Sequence, residues 1–220
     1  MIEDFRALIP HRLLNKSGSV FYSGRNAFST PSKLYILGLN PGGDPSDPRS
    51  DTVDQHTIRV LTKAPDDWSA YRDDSWAGHA PGSYKMQPRV LHLLKEVGLS
   101  PGEVPASNII FLRSRREANI SKNVEELKTT CWPFHKTVIE KLQPSVILCF
   151  GRTSGRWVCN QLDAHEQVDE FVEKNARRWR SRSYKNERGV RVVIATHPSI
   201  ADWTSPDTDP SALVKRALQP

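Results

Sequence analysis

The chain has 220 residues, 37% of them hydrophobic and 8% aromatic, which is enough for a substantial core and too apolar for a disordered protein. It contains no run of 18 apolar residues, and its acidic start differs from a secretory signal peptide, so we expect a cytoplasmic protein that does not enter a membrane. The net charge of +6 permits a polyanionic partner but does not identify one.

Four short apolar runs are predicted as buried strands of a parallel sheet, because their hydrophobicity is continuous rather than alternating. They are Lys33–Gly38, Ser107–Leu112, Ser145–Gly151 and Val190–Ala195. Helical patterns lie between and after them, at Pro88–Val97, Pro133–Leu142, Ser154–Leu162 and Ser211–Leu218. This alternation predicts one α/β domain over residues 1–220. The stretch Gly42–Gly82 shows little periodicity and is predicted as a long functional loop.

The sequence shows none of the common metal-binding patterns. Cys131, Cys149 and Cys159 have no CxxC spacing, which argues against a four-cysteine zinc or iron–sulfur site and against a disulfide framework. The seven histidines show no HExxH or paired-ligand spacing. We therefore expect no metal ion.

Basic residues are concentrated in two places. Eight Lys and Arg residues lie between Lys174 and Arg191, interleaved with Trp179 and Tyr184, and a shorter cluster comprises Arg113, Arg115 and Arg116. Either stretch is compatible with a solvated face, and either also suits a surface that follows a phosphate backbone.

The segment after the first strand, GLNPGGDP from Gly38 to Pro45, is the most informative motif. It is not a dinucleotide fingerprint, because Asn40 stands where a glycine is needed, and it is not a phosphate-binding P-loop, because Asp44 and Pro45 follow the last glycine. Taken alone, it is an ordinary turn. The last strand, however, runs into a second polar turn, THPSIADW, which begins at Thr196. Both turns leave the carboxyl ends of predicted parallel strands, where open α/β sheets bind ligands.

With these motifs, the chain resembles the uracil-DNA glycosylase superfamily. The matching pieces are, in order, LYILGLNPGGDP, SNIIFLRS, PSVILCFG and ATHPSIADW, and they span Leu34 to Trp203. GLNPG is similar to the first motif of the mismatch-specific and single-strand-selective branches, and HPS to the second motif of the classical and single-strand-selective branches. The resemblance implies a three-layer α/β/α fold with a central four-stranded parallel sheet, and a DNA groove across the strand ends.

The resemblance also implies roles for individual residues. Asn40 would position the water that attacks the sugar C1′, and His197 would donate a hydrogen bond to the pyrimidine O2 as negative charge develops there. Asn108 would read the Watson–Crick edge of a flipped base, with one amide donor and one acceptor. Asp44 is a nearby carboxylate that is available to assist. Because water is the only nucleophile needed, we expect no organic cofactor.

DNA contacts are expected around the second motif. Pro198 and Ser199 would grip phosphates, and Ile200 or Trp203 would fill the gap left by the flipped base. Given the resemblance, we expect both basic stretches to face DNA. The arginines selected as DNA contacts are Arg113, Arg115, Arg116, Arg178, Arg180 and Arg182. DNA is the expected partner, either single- or double-stranded, of a protein that we expect to be a monomer.

The base pocket is expected to be lined by the first motif, namely Gly38, Leu39, Pro41, Gly42 and Gly43. Classical members carry a bulky aromatic residue after this motif that excludes thymine, whereas glycine blocks nothing. The substrate is thus either uracil or a C5-modified pyrimidine, including a modified cytosine of viral DNA. An aromatic residue of the long loop, with Trp76 and Tyr84 selected, would stack on the base. The alternatives are a weakly active or inactive DNA-binding module with the same fold, or a nucleotide-binding regulator.

Overall fold

A central sheet organises the molecule, which we describe from a computed structural model covering residues 2–219. Within that range the sheet has six strands in the order β2-β1-β3-β6-β5-β4. Their bounds are Leu34–Gly38 (β1), Ala106–Asn108 (β2), Val146–Phe150 (β3), Glu166–Val172 (β4), Arg180–Lys185 (β5) and Arg191–Ala195 (β6).

The four predicted strands correspond to β1, β2, β3 and β6, which pair in parallel as expected. The bounds of the second were wrong, because β2 ends at Asn108 and the predicted strand ran to Leu112. The strand count was wrong, because β4 and β5 form an antiparallel hairpin that extends the sheet along β6. The charged sequence of this hairpin concealed it. In β5, the small serines Ser181 and Ser183 face the protein, and Arg180 and Arg182 at the alternate positions face outward. Of the eight basic residues in the run, Arg180, Arg182 and Lys185 lie in β5 and Arg191 begins β6, and the other four lie in the turns on either side of β5.

Seven α-helices lie in the described part of the chain. They are Ile2–Arg6 (α1), Val53–Thr62 (α2), Ala70–Asp73 (α3), Met86–Glu96 (α4), Val124–Leu142 (α5), Arg152–Gln161 (α6) and Ser211–Leu218 (α7). The predicted helices correspond to α4, α5, α6 and α7. The bounds of α7 are as predicted, those of α4 and α6 differ by one or two residues, and α5 is longer than predicted.

Helix α5 begins nine residues before Pro133, so the prediction that this proline lies in the first turn was wrong. Pro133 is on the exposed face of the helix, where water can solvate the backbone carbonyl that loses its donor. Its neighbours Trp132 and Phe134 are buried and hold the helix against the core.

The prediction of one long loop over Gly42–Gly82 was also wrong, because α2 and α3 lie within it. Helix α2 begins with a capping box, in which the Thr52 side chain accepts a hydrogen bond from Gln55 N and the Gln55 side chain accepts one from Thr52 N. The apolar face of α2 is short, with Val53, Val60 and Leu61 buried, which explains its weak periodicity in the sequence.

The sheet separates two cores, giving the expected three layers. One core contains residues of α5 and α6 together with Tyr35 and Leu37 of β1. The other contains residues of α4 and α7 together with Leu34 and Ile36 of the same strand. Side chains of β1 therefore alternate between two buried faces, as continuous hydrophobicity predicts. No helix within residues 2–219 is long and apolar enough to cross a membrane.

Candidate active site at the carboxyl edge of the sheet

The two polar turns lie at the same edge of the sheet. Asn40 follows the end of β1 by two residues, His197 follows the end of β6 by two residues, and only β3 lies between these parallel strands. With neighbouring strands roughly 4.8 Å apart, the two strand ends are about 10 Å apart. Asn108 is the last residue of β2, the neighbour of β1 on the other side. The three residues selected from separate motifs thus share one edge.

The Asn40 carboxamide is held in a fixed orientation. Its Nδ2 donates hydrogen bonds to Pro41 O at 2.9 Å and to Ser114 Oγ at 2.8 Å. A carbonyl oxygen can only accept, so the nitrogen must face Pro41. Asn40 Oδ1 accepts no hydrogen bond from any described residue, and it is free to orient a water molecule.

The His197 imidazole is neutral and carries its proton on Nε2. Its Nδ1 accepts a hydrogen bond from Ser199 N at 3.0 Å, and Ser199 Oγ lies 2.8 Å from the same atom. Burial lowers the pKa of His197 to about 4, with the Glu117 carboxylate acting in the opposite direction. The imidazole ring is therefore neutral near pH 7, and its Nε2–H group is available as a hydrogen-bond donor.

Asn108 lies almost buried beside Gly38, its partner in the β1–β2 register. The hydroxyl of Tyr22 interacts with the Asn108 side chain, and burial raises the pKa of Tyr22. Ser19 Oγ also donates to the Tyr22 hydroxyl, at 3.2 Å. Tyr22 was missed from the sequence because it lies before the first strand, in a segment without a recognisable motif.

Aromatic rings connect Asn108 to His197 beneath the strand ends. The ring centroids of Tyr22 and Tyr71 are 5.9 Å apart, those of Tyr71 and Phe150 are 6.4 Å apart, and those of Phe150 and His197 are 6.1 Å apart. Trp76 packs on Tyr71 with a centroid distance of 5.9 Å. This row therefore packs buried aromatic rings beneath the edge, between Asn108 and His197.

The two aromatic residues selected for stacking differ in their surroundings. Trp76 joins the row of rings through Tyr71, whereas Tyr84 stacks on His79 at 4.3 Å and has Lys85 Nζ 4.9 Å from its ring centroid. Of the two, the structure brings only Trp76 to the rings that lie between Asn108 and His197.

Comparison with known proteins identifies the family of the chain. The family model described as Uracil DNA glycosylase superfamily matches residues 26–219, which is most of the chain. The chain belongs to the uracil-DNA glycosylase superfamily. A search of curated proteins found no match. Members of this superfamily are generally DNA glycosylases, so the membership indicates this activity, with DNA as the partner. The match does not select a branch of the superfamily.

The second motif of this superfamily member is braced from two sides. Arg89 of α4 donates to Pro198 O at 2.6 Å, and its Nε lies 3.4 Å from Asp202. Arg177 donates to Ile200 O at 2.9 Å. Asp202 therefore serves to hold Arg89.

Of the two residues selected as wedges, only Ile200 is available. Its side chain is 56% exposed, whereas Trp203 is fully buried, donates from Nε1 to Thr196 O at 3.0 Å and packs on Phe150. The prediction that Trp203 contacts DNA was wrong, because the strand-end turn folds the indole back into the core. Pro198 is also buried, and its carbonyl is occupied by Arg89.

The loop of the first motif is held by the nearby arginines. Asp44 forms an ion pair with Arg115 and accepts hydrogen bonds from Ser46, and these contacts hold the pKa of the carboxyl far below its usual range. Arg113 donates to Gly42 O at 2.7 Å. Asp44 is therefore a poor proton acceptor. The half-buried Arg113 and the exposed Arg115 stabilise the loop, and the exposed Arg116 follows them in the chain.

The loop of the first motif leaves open space at Gly42. A Cβ atom added at Gly42 would meet nothing within 4 Å, and Gly43 has a positive φ of 114° that favours glycine. Leu39 and Pro41, by contrast, are buried and pack the loop onto the core.

The selected arginines Arg178, Arg180 and Arg182 line a cleft of about 530 Å³ together with His197 and Ile200. Asn40 and Asn108 do not line this cleft. Within residues 2–219, no group of three or more His, Cys, Asp or Glu side chains is placed to hold a metal ion.

Proposed function

We propose that this protein is a monofunctional DNA glycosylase, which hydrolyses the N-glycosidic bond of a flipped-out pyrimidine and leaves an abasic site. The observation that carries the proposal is the pair of fixed polar groups at one sheet edge. His197 offers an Nε2–H donor because its Nδ1 is occupied by Ser199, and Asn40 offers Oδ1 because its Nδ2 is occupied by Pro41 and Ser114.

These two groups match the charges that develop when the bond to the base breaks. The base leaves as an anion with negative charge on O2, where the Nε2–H of His197 stabilises it without transferring a proton. A water molecule held by Asn40 Oδ1 adds to the cationic C1′ and then releases its proton to the departed base or to bulk water. An amide cannot take that proton itself, so we expect slower chemistry than with a carboxylate.

Recognition of the base is assigned to Asn108, which presents an amide donor and acceptor to the Watson–Crick edge. Its near-complete burial and its contact with Tyr22 support a preset orientation. A group that is already oriented loses little conformational entropy when the base arrives. Trp76 is the proposed stacking partner, since it adjoins the row of rings that ends at His197.

The proposed substrate is uracil from deaminated cytosine, or a pyrimidine with a C5 substituent such as a modified cytosine. The open space at Gly42 supports the second choice. Base excision would serve repair in the first case and defence against modified foreign DNA in the second. A Gly42→Tyr variant tests the point, because a ring at this position should abolish release of C5-substituted bases and leave uracil release within a few-fold of its original rate.

The activity is tested with oligonucleotides that carry uracil, hypoxanthine, a thymine mismatch or a modified cytosine. After incubation and alkali treatment, strand scission at one base is expected, and mass spectrometry identifies the base released. Asn40→Ala and His197→Ala should each lower the rate by roughly 10²–10³. The exposed residues Asn160 and His165 provide matched controls, Asn160→Ala and His165→Ala, which should retain the full rate. DNA binding without abasic sites on any substrate would instead favour the DNA-binding module.

A further inference from the structure

The cleft beside His197 has features that the proposed hydrolysis does not use. We call it the arginine cleft. It is lined by the start of α6, by β5 and the turn before it, and by the end of β6 with the residues that follow. Its volume of about 530 Å³ is within the range of ligand pockets, roughly 300–1,000 Å³.

Positive charge in this cleft is only partly neutralised. Arg180 and Arg182 pair with Glu170. The side chains of Arg152, Arg156 and Arg178 form no ion pair or hydrogen bond with any described residue, although all three line the cleft. Several unpaired guanidinium groups around one cavity repel one another unless an anion lies between them, and guanidinium groups bind phosphate with two hydrogen bonds each.

The first turn of α6 reinforces this charge. The helix has ten residues and begins at Arg152 on the cleft wall, and its N-cap residue Gly151 provides no side-chain cap. The first backbone N–H groups of the helix are therefore left to water or to a ligand, and the helix dipole favours an anion there.

Trp179 supplies an aromatic wall. Its side chain is 41% exposed, and the Arg177 guanidinium lies 4.2 Å from the ring centroid. Arg177 is itself anchored by the buried Glu173 and by Ile200 O. The indole is thus held in place by neighbours while it lines the cleft, which suits it to stack with a nucleobase.

We propose that the arginine cleft binds one unpaired nucleotide of the DNA strand that flanks the excised base. Its phosphate lies among Arg152, Arg156 and Arg178, and its base stacks on Trp179. DNA rather than a free nucleotide is the expected occupant, because the cleft is continuous with His197 and Ile200 of the second motif. A base can stack on Trp179 only when it has left a duplex, so the β4–β5 hairpin selects DNA with an unpaired flank. The inference rests on the proposed function because it takes DNA as the ligand, but it does not depend on hydrolysis of the glycosidic bond.

The test measures equilibrium binding of a fluorescein-labelled single-stranded oligonucleotide and of the same sequence as a blunt duplex, by fluorescence anisotropy. The full-length protein should bind the single strand more tightly. Trp179→Ala should weaken single-strand binding by about 5- to 150-fold and duplex binding much less. Arg156→Ala should weaken single-strand binding and reduce its salt dependence. Trp179→Phe, which keeps a ring, should retain most of the affinity.

The control is Lys136→Ala, which removes a positive charge from the exposed face of α5 and should change neither affinity. Circular dichroism confirms that each variant is folded. Equal affinity of the wild type for both DNAs, or unchanged single-strand affinity in both cleft variants, would overturn the proposal. So would dTMP binding as tightly as the oligonucleotide, which would assign the cleft to a free nucleotide. Selective single-strand binding without abasic-site formation would overturn the glycosylase activity alone.

Discussion

Gly38 and Asn108 face each other across the β1–β2 pair, and the Asn108 carboxamide occupies the space where a side chain of residue 38 would stand. A Cβ atom added at Gly38 would lie 2.1 Å from Asn108 Oδ1. The glycine of the first motif is therefore required by the side chain proposed to read the base. The conflicting atom is at the end of a side chain, so a Cβ here would move Asn108 before it disturbed the backbone.

Gly38→Ala is expected to lower kcat/KM by roughly 10- to 100-fold, because it displaces Asn108 from its preset orientation. The measurement is a double-mutant cycle with Asn108→Ala, read out as base release. If Gly38 acts through Asn108, the double variant should be no slower than Asn108→Ala alone. Additive losses would show that Gly38 has a separate role.

The neutral His197 predicts an unusual pH profile. With its pKa lowered to about 4, the imidazole stays neutral and donates through Nε2 over the whole range from pH 5.5 to 8.5. The single-turnover rate should therefore change little across this range. A rate that falls as the pH rises through about 6.5 would mean that the charged imidazolium acts as a general acid, and would contradict the assignment.

Arg89 is expected to be a positioning residue for the second motif. Arg89→Ala removes the hydrogen bond to Pro198 O and the ion pair with Asp202, so the turn that carries His197 becomes less ordered. We predict a fall of roughly tenfold in kcat with a smaller change in KM. Lys95→Ala on the exposed face of the same helix is the control and should be unchanged. A loss confined to KM would instead place Arg89 in DNA binding.

The free energy of unfolding should begin to fall at a higher pH than the one at which the carboxylates titrate. Burial lowers the pKa of both His56 and His135 to about 3, whereas an unfolded chain protonates histidine near pH 6.5. The unfolded state therefore binds more protons below pH 6.5, and the free energy of unfolding should fall by up to about 1.4 kcal/mol per pH unit for each histidine.

Urea unfolding at pH 7, 6 and 5 measures this slope. His56→Leu should make it shallower, and it should retain stability at pH 7 because His56 Nδ1 has no hydrogen-bond partner among the described residues. An unchanged slope in this variant would show that His56 does not contribute to acid unfolding.

The sequence by itself determined the parallel part of the sheet, because β1, β3 and β6 are buried on both faces and their continuous apolar runs cannot be mistaken for solvent-exposed segments. It also determined that Asn40 and His197 share one edge, since both follow carboxyl ends of predicted parallel strands. The predicted strand Ser107–Leu112 placed Asn108 near its amino end, and only the structure, in which β2 ends at Asn108, brings this residue to the same edge. The hairpin was not recognisable, because β4 and β5 lie at the sheet margin and need no apolar pattern.

Tertiary structure alone decided how the polar groups are used. Trp203 and Ile200 stand three residues apart in one turn, and only the direction of the chain after β6 buries the first and exposes the second. Asp44 resembles a free carboxylate until Arg115, 71 residues away, is placed against it. Hydrogen bonds and burial depend on residues that are distant in the chain, so local patterns predict where strands end but not which groups at those ends remain free for chemistry.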